Sequence, residues 1–293
     1  MNIENKEMIL LSEQGKLLIT KDYVTTKIEE LKNKVDKLNK KPKLVIVRVN
    51  DDEPSERYIR NKIKRCEEVG IISEIIKFNE KVTQEEVKNK IKELNEDETV
   101  TGILLQLPIY KHLNEEELLD LINPKKDVDA LTSCNLGKMV KAENIISSCT
   151  PYGAIELLKF HNINLEGKDC LIISRSVIVG RPLSQLLLNE GATVTIAHSK
   201  TKNLKEKIKN ADIVFTACGK LRFLNADDFS PNTTIVDISI NVNELGKLEG
   251  DVNKKDYDKL LMKNCNVVPV PGGIGITTVL SLIENVVKLA IEG

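Results

Sequence analysis

Residues 43–69 read KLVIVRVNDDEPSERYIRNKIKRCEEV, and the fold class follows from how this stretch breaks in two. The opening KLVIVRV is mostly β-branched and apolar, the pattern of a strand buried on both faces. Residues 56–69 hold no Gly or Pro and are rich in helix formers, so they are read as a helix. Pro54 suits its first turn, and Asp51 or Asp52 is placed to cap it. Ile59, Ile63 and Cys66 make one apolar stripe at helical spacing. Tyr58, Lys62 and Arg65 repeat that spacing one position earlier, about 100° round the helix. Lys62 is therefore expected at the edge of the core, with Tyr58 one turn before it. A lysine partly withdrawn from water has a lowered pKa and exchanges protons near neutral pH. Taken alone, the same pattern fits a solvated lysine on an amphipathic helix.

Working outward, the alternation continues. Residues 21–40 read as a helix with Val24, Ile28, Leu31, Val35 and Leu38 on one face. Residues 71–78 form a second strand, and 83–95 a helix opened by the capping box Thr83-Gln84-Glu85-Glu86. Residues 102–107 form a third strand, and 114–122 a helix capped by Asn114. This is the rhythm of a parallel sheet with covering helices. Ligands of such sheets bind beyond the carboxyl ends of the strands. Gln106-Leu107-Pro108 is one such end, and Asp127-Val128-Asp129 lies in the loop after the next helix. By themselves, these residues fit loop hydrogen bonds and turn caps equally well.

A second α/β series starts at Thr150-Pro151, read as the N-cap and first residue of a helix over 152–161. Strands are expected at 168–173, 192–197, 212–217 and 233–238, which is the plan of a nucleotide-binding unit. Its first loop, SRSVIVG over 174–180, is not the three-glycine fingerprint. Gly180 nevertheless opens a helix whose N-terminus suits a phosphate. His198-Ser199 stand at the end of the next strand, where an adenosine ribose would lie. With no acid there, and with Arg175 and Lys200 nearby, NADP is favoured, NAD staying open. Pro269-Val270-Pro271-Gly272-Gly273 reads as a tight turn or as backbone passing close to a flat ligand. A last helix over 277–291 is expected to return to the first domain.

The balance of 43 basic against 44 acidic residues suggests no nucleic-acid-binding surface. Glu4 and Glu7 beside a short apolar run at 8–11 are not a signal-peptide pattern, and no uninterrupted apolar stretch reaches the roughly 20 residues of a membrane span. Cysteines 66, 134, 149, 170, 218 and 265 are scattered without a CxxC pair. Buried, reduced thiols in a cytoplasmic protein are expected, and no metal site.

Together the motifs resemble the bifunctional methylenetetrahydrofolate dehydrogenase/methenyltetrahydrofolate cyclohydrolase family. The matching stretches are Ser55-x-x-Tyr58-x-x-x-Lys62, Gln106-Leu107-Pro108, Lys126-Asp127-Val128-Asp129, Cys149-Thr150-Pro151, Arg175-Ser176-x-x-Val179-Gly180-x-Pro182, His198-Ser199-x-Thr201, Gly250-Asp251-Val252 and Pro269 to Gly273. They run in the family's order and near its spacing. The resemblance implies two α/β domains with a cleft between them. One is a folate-binding catalytic domain, residues 1–149 completed by a C-terminal helix at 276–293. The other is a Rossmann-like NADP-binding domain, residues 150–275. It implies a homodimer through the nucleotide-binding domains and a small-molecule folate substrate. Lys62 matches the catalytic lysine, Tyr58 the tyrosine beside it and Gln106 the glutamine that holds it. Asp129 matches the aspartate that bonds the pterin ring. Ser55, Pro108, Pro271, Gly272 and Gly273 complete the substrate set. The implied cofactor set is Thr150, Ser174, Arg175, Ser176, Val179, Gly180, His198, Ser199, Ala217, Cys218, Gly219 and Ile240.

The chain departs from the family where glycine is usual at Ser174, Ala130 and Ser239, and where proline is usual at Leu221. Gly275-Ile276-Thr277-Thr278 replaces Gly-Pro-Met-Thr. A Cβ at Ser174 is expected to crowd the loop against a pyrophosphate. Other readings therefore stay open: a cyclohydrolase whose redox step is lost, a silent folate-binding paralogue, or an unrelated two-domain dehydrogenase. Retention of Lys62, Gln106 and Asp129 together speaks against a silent binder.

Overall fold

The run at 43–49 becomes a central strand because both of its faces find cover. In the computed structural model, which describes residues 14–292, β1 (Lys43–Arg48) lies between β2 (Ile72–Lys77) and β3 (Gly102–Gln106) in a parallel sheet of order β2-β1-β3. The apolar side chains of a strand alternate between faces. Leu44 and Ile46 join the core built with α1 (Lys21–Val35), α2 (Glu53–Val69) and α10 (Ile274–Glu292), whereas Val45 and Val47 face α3 (Gln84–Glu96) and α4 (Glu115–Leu121). Each fully buried Leu or Ile contributes about 1.5–3 kcal/mol.

The local signals around α2 act as read. The Asp52 carboxylate accepts from Ser55 N at 2.8 Å, and Gly70 ends the helix at φ +90°, a conformation a Cβ would penalise. The Thr83/Glu86 capping box and the Asn114 cap are both formed. A short helix that the periodicity reading passed over, α5 (Ser133–Val140), follows the Asp127 loop.

The chain divides into two compact units, residues 24–149 with 278–292, and residues 14–23 with 150–277. Residues 14–23, which the expected first-domain span of 1–149 includes, thus group with the second unit instead. Leu18 N donates to Val267 O at 2.8 Å and Val267 N to Lys16 O at 2.9 Å, which adds this segment beside a strand of the second unit. The signal-peptide reading at residues 4–11 lies outside the described residues. The helix expected from residue 152 starts earlier, as α6 (Cys149–Phe160). Thr150 and Pro151 therefore lie within its first turn rather than at its cap.

The second unit carries a five-stranded parallel sheet. Its strands are β4 (Asp169–Ile173), β5 (Thr193–Ala197), β6 (Ile213–Thr216), β7 (Thr234–Asp237) and β10 (Asn266–Val268), in the order β10-β7-β6-β4-β5. Helix α7 (Gly180–Asn189) links β4 to β5, and α8 (Leu204–Lys209) links β5 to β6. The chain leaves neighbours β4 and β6 in opposite directions, so their carboxyl ends frame a topological switch point. Past β7 come a small hairpin, β8 (Asn241–Val242) with β9 (Leu248–Glu249), and α9 (Tyr257–Met262).

All six cysteines are free thiols, but they are not all buried as expected: Cys134 is exposed and Cys218 is half-buried. Cys134 sits on the short helix α5, which has a solvent side. One helix among the described residues, α10, is long and apolar enough to cross a membrane; Val279, Leu282, Ile283, Val286 and Val287 on it are instead core residues of the first unit.

Candidate active site

Within the first unit, two elements far apart in sequence bring Lys62 and Gln106 together. Gln106 ends β3 directly opposite Arg48 at the end of β1, and Lys62 projects from the flank of α2. Lys62 Nζ donates to Gln106 Oε1 at 2.9 Å, and Gln106 Nε2 donates to Leu107 O at 2.7 Å. The ammonium nitrogen also lies 5.0 Å from the Tyr58 ring centroid. Lys62 is only 6% exposed, so the solvated-lysine reading is set aside. Burial lowers its pKa, opposed in part by the charge of Asp129. Burial likewise raises Tyr58, whose hydroxyl shares a hydrogen bond with Thr278.

Asp127 and Asp129 divide their work. Asp127 Oδ2 accepts from Thr132 N at 2.9 Å and Asn135 Nδ2 at 3.0 Å, the structural role a loop aspartate ordinarily has. Asp129 is half-buried. Burial pushes its carboxyl above its ordinary range, and the Lys62 charge and hydrogen bonds from the Cys149 thiol and N–H offset only part of that rise. The Cys149 thiol is itself held well above its ordinary pKa by burial and by the Asp129 carboxylate, so it is a donor rather than a nucleophile. Ser55 is buried in the first turn of α2. Pro108 is exposed past β3 after a cis peptide bond, with its carbonyl accepting from Asn50 Nδ2 at 2.6 Å.

Three neighbours of this cluster were not among the site residues expected from the sequence: Cys149, Thr278 and Asn285. Asn285 is fully buried on α10. Its Nδ2 donates to Val128 O (2.9 Å) and Ser147 O (2.8 Å), so one amide ties together the two loops that carry Asp129 and Cys149. The readable signal was an asparagine at a core-facing position of an apolar helix. Asn285→Ala is expected to cost about 2 kcal/mol, because two buried carbonyls lose their donor. Urea unfolding measures that loss.

Ala130, where the resembled family usually has glycine, is buried at φ +54°. An L-residue pays for this conformation. Ala130→Gly is expected to raise stability by about 1 kcal/mol, read as a higher denaturant midpoint.

In the second unit, the expected cofactor residues gather at the carboxyl ends of β4, β5, β6 and β7. Thr150 is the exception, lying half-buried in the first turn of α6. The loop after β4 carries Arg175 and Ser176 exposed. Ser176 Oγ accepts from Val179 N (3.1 Å) and Gly180 N (3.3 Å). A Cβ on Gly180 would meet Ser174 O at 2.3 Å, so glycine is what lets α7 start against the end of β4. Ser174 is buried, and its hydroxyl donates to Ser176 Oγ at 3.3 Å. The Ser174 hydroxyl is thus engaged inside the loop, where it also accepts from Ser176 N at 3.4 Å. At the end of β5, His198 N donates to Thr201 Oγ1 at 2.8 Å and His198 Nδ1 accepts from Lys200 N, which shapes a turn with Ser199 exposed. Residues 198–202 contain no carboxylate and two lysines. Ala217, Cys218 and Gly219 follow β6, and Ile240 follows β7, exposed. Close helix approach at the first loop and a cationic turn at the end of β5 fit a dinucleotide with a ribose phosphate. Pro271, Gly272 and Gly273 also belong to this unit, after β10 and a cis Val270–Pro271 bond, with Thr20 Oγ1 donating to Gly272 O at 2.9 Å.

A sequence model of the tetrahydrofolate dehydrogenase/cyclohydrolase catalytic domain matches residues 19–129, and one of the NAD(P)-binding domain of the same proteins matches residues 148–292. The bifunctional protein FolD of Agathobacter rectalis is 43% identical over 275 residues, covering 92% of this chain and 98% of that protein. The crystal structure of the bifunctional enzyme FolD, methylenetetrahydrofolate dehydrogenase/cyclohydrolase, from Campylobacter jejuni matches with a TM-score of 0.90 at 39% identity, over 94% of this chain and 99% of that one. The Trypanosoma brucei enzyme, crystallised with NADP cofactor and inhibitor, matches with a TM-score of 0.88 at 27% identity, over 95% and 98% of the two chains. With both domain models matched and close relatives aligned over nearly their full length, this chain belongs to the tetrahydrofolate dehydrogenase/cyclohydrolase family.

Proposed function

We propose that this protein oxidises 5,10-methylenetetrahydrofolate to 5,10-methenyltetrahydrofolate with NADP, and then hydrolyses that product to 10-formyltetrahydrofolate. The observation that carries this reading is the buried Lys62 amine, fixed at 2.9 Å by Gln106 Oε1 and set beside the Tyr58 ring. When bound, NADP accepts the hydride that leaves the methylene carbon. The residues at the ends of β4 to β7 bind and orient it, with Arg175, Ser176, Ser199 and Lys200 suited to its phosphates.

In the hydrolytic step, water adds to the methenyl carbon and gives up a proton. A neutral Lys62 amine takes that proton and returns it to the folate nitrogen as the bond from that nitrogen to the carbon breaks, while the remaining hydroxyl proton leaves to solvent and the formyl C=O forms. Its lowered pKa serves twice, because a permanent ammonium would also oppose the cationic substrate. Gln106 holds the amine in place, and Tyr58 covers it. Asp129 accepts from the N–H groups of the pterin ring and fixes its orientation.

The protein is expected to act in the cytoplasm, in keeping with six free thiols. It is expected to form a homodimer. The hairpin of the second unit supports this, because it exposes Val242 (61%) and Leu245 (77%) beside Ile240.

A spectroscopic assay tests the reading. The protein is given 5,10-methylenetetrahydrofolate with NADP or NAD, and separately 5,10-methenyltetrahydrofolate without cofactor. Reduction of NADP together with methenyl hydrolysis is expected. Hydrolysis without reduction of either cofactor would reduce the function to a cyclohydrolase.

A further inference from the structure

Asp251 is fully buried in the second unit, and its carboxylate collects the loop that follows β6. Its Oδ2 accepts from Thr216 Oγ1 (2.7 Å), Cys218 N (2.9 Å), Cys218 Sγ (3.1 Å) and Ser239 Oγ (2.7 Å). Its Oδ1 accepts from Lys220 N (2.7 Å) and Asn241 Nδ2 (3.3 Å). Gly219 N, between the two bound amides, donates to Ser239 Oγ at 3.0 Å. Three successive backbone N–H groups of this loop are therefore held by one buried carboxylate and the hydroxyl it orients.

The anchor is itself fixed. Asp237, at the end of β7, accepts from Asp251 N at 3.1 Å and Val252 N at 2.8 Å. Burial alone would raise the Asp251 pKa, but the donors around it hold the carboxyl below its ordinary range, so it works as an anion. Six donors converge where only an acceptor fits on both oxygens. The loop lies at the β4/β6 switch point, where an open α/β sheet receives its ligand. Ser239 stands where the resembled family usually has glycine, so this chain adds a hydroxyl to the clamp.

We propose that Asp251, directly and through Ser239, is a positioning residue for the dehydrogenase step, holding residues 216–220 in the shape that receives NADP. The inference rests on the bifunctional reading above. It predicts an asymmetry between the two activities, because methenyl hydrolysis depends on Lys62 and not on this loop.

The test uses full-length Asp251→Asn and Ser239→Gly proteins. The first is isosteric, but it turns an NH₂ towards the N–H of Cys218 or Lys220. Asp251→Asn is expected to raise the KM for NADP about tenfold or more, with methenyl hydrolysis and the folate KM within about twofold of the parent. Ser239→Gly removes one hydroxyl and is expected to raise the KM for NADP about threefold. An unchanged KM for NADP in both variants overturns the proposal. So does a parallel fall of both activities together with the thermal midpoint, which a purely structural role would give. If Asp251→Asn does not fold, Ser239→Gly and Thr216→Val decide by the same NADP-to-hydrolysis comparison. Failure of the parent protein to bind or reduce NADP would count against the bifunctional reading itself.

Discussion

Lys62→Met is expected to lower methenyltetrahydrofolate hydrolysis by about 10²–10⁴-fold, the range over which a positioned proton-transfer group acts. Methionine keeps the apolar length of the side chain and cannot carry a proton. The fold should survive. Gln106 Oε1 loses its donor, costing about 1–3 kcal/mol, but a desolvated amine is removed at the same site. The pH dependence of stability supplies an independent check. Burial lowers the folded-state pKa of Lys62 below 10.5, so between that lowered value and 10.5 the unfolded chain holds the extra proton. Stability of the parent therefore rises with pH through this window, and the methionine variant should lose that slope. Denaturant midpoints across the alkaline range measure it. Full hydrolase activity in a folded Lys62→Met protein would remove Lys62 from the mechanism.

Asp129→Ala is expected to raise the folate KM by about 30-fold or more, with the KM for NADP within about twofold. The carboxylate is the charged acceptor proposed for the pterin N–H groups, and hydrogen bonds to an ionised partner are worth about 1.5–3 kcal/mol each. The Cys149 N–H loses its acceptor as well, while the thiol keeps Val128 O at 3.5 Å. The change also reaches Lys62. The Asp129 charge favours the ammonium form, so its removal drives the lysine pKa down further. The rising limb of the pH profile for hydrolysis should therefore move to lower pH. An equal loss of affinity for folate and NADP, with no shift of that limb, would leave Asp129 as an ordinary loop residue.

Much of the local structure was legible because its causes are local. Asp52 caps α2 and Gly70 ends it, as their residue types require at those positions. The apolar stripe of Ile59, Ile63 and Cys66 turns Lys62 onto the flank of the helix, and the β-branched runs mark the sheet interiors. The short helix α5 and the β8–β9 hairpin were passed over, because an eight-residue helix of mixed composition and two-residue strands carry no periodicity that separates them from loop. Cys134 was expected to be buried. Leu131 and Leu136 lie near it, but its immediate neighbours Ser133 and Asn135 are polar and it sits on the solvent side of a short helix.

The sequence by itself determined that two α/β series follow one another, and that Lys62, Gln106 and Asp129 stand at helix flank, strand end and loop in one family's order. It did so because periodicity, caps and motif spacing depend on residues a few positions apart. The resemblance implied that Gln106, 44 residues away, holds Lys62, and the tertiary structure supplied the contact; it alone decided that Asn285 ties together the segments of Asp129 and Cys149 from the far end of the chain. It also decided that residues 14–23 belong beside β10 and that a buried carboxylate at 251 gathers the loop after β6. These are pairings between distant segments, set by strand order and by the need of each buried polar group for a partner, and no local pattern encodes them.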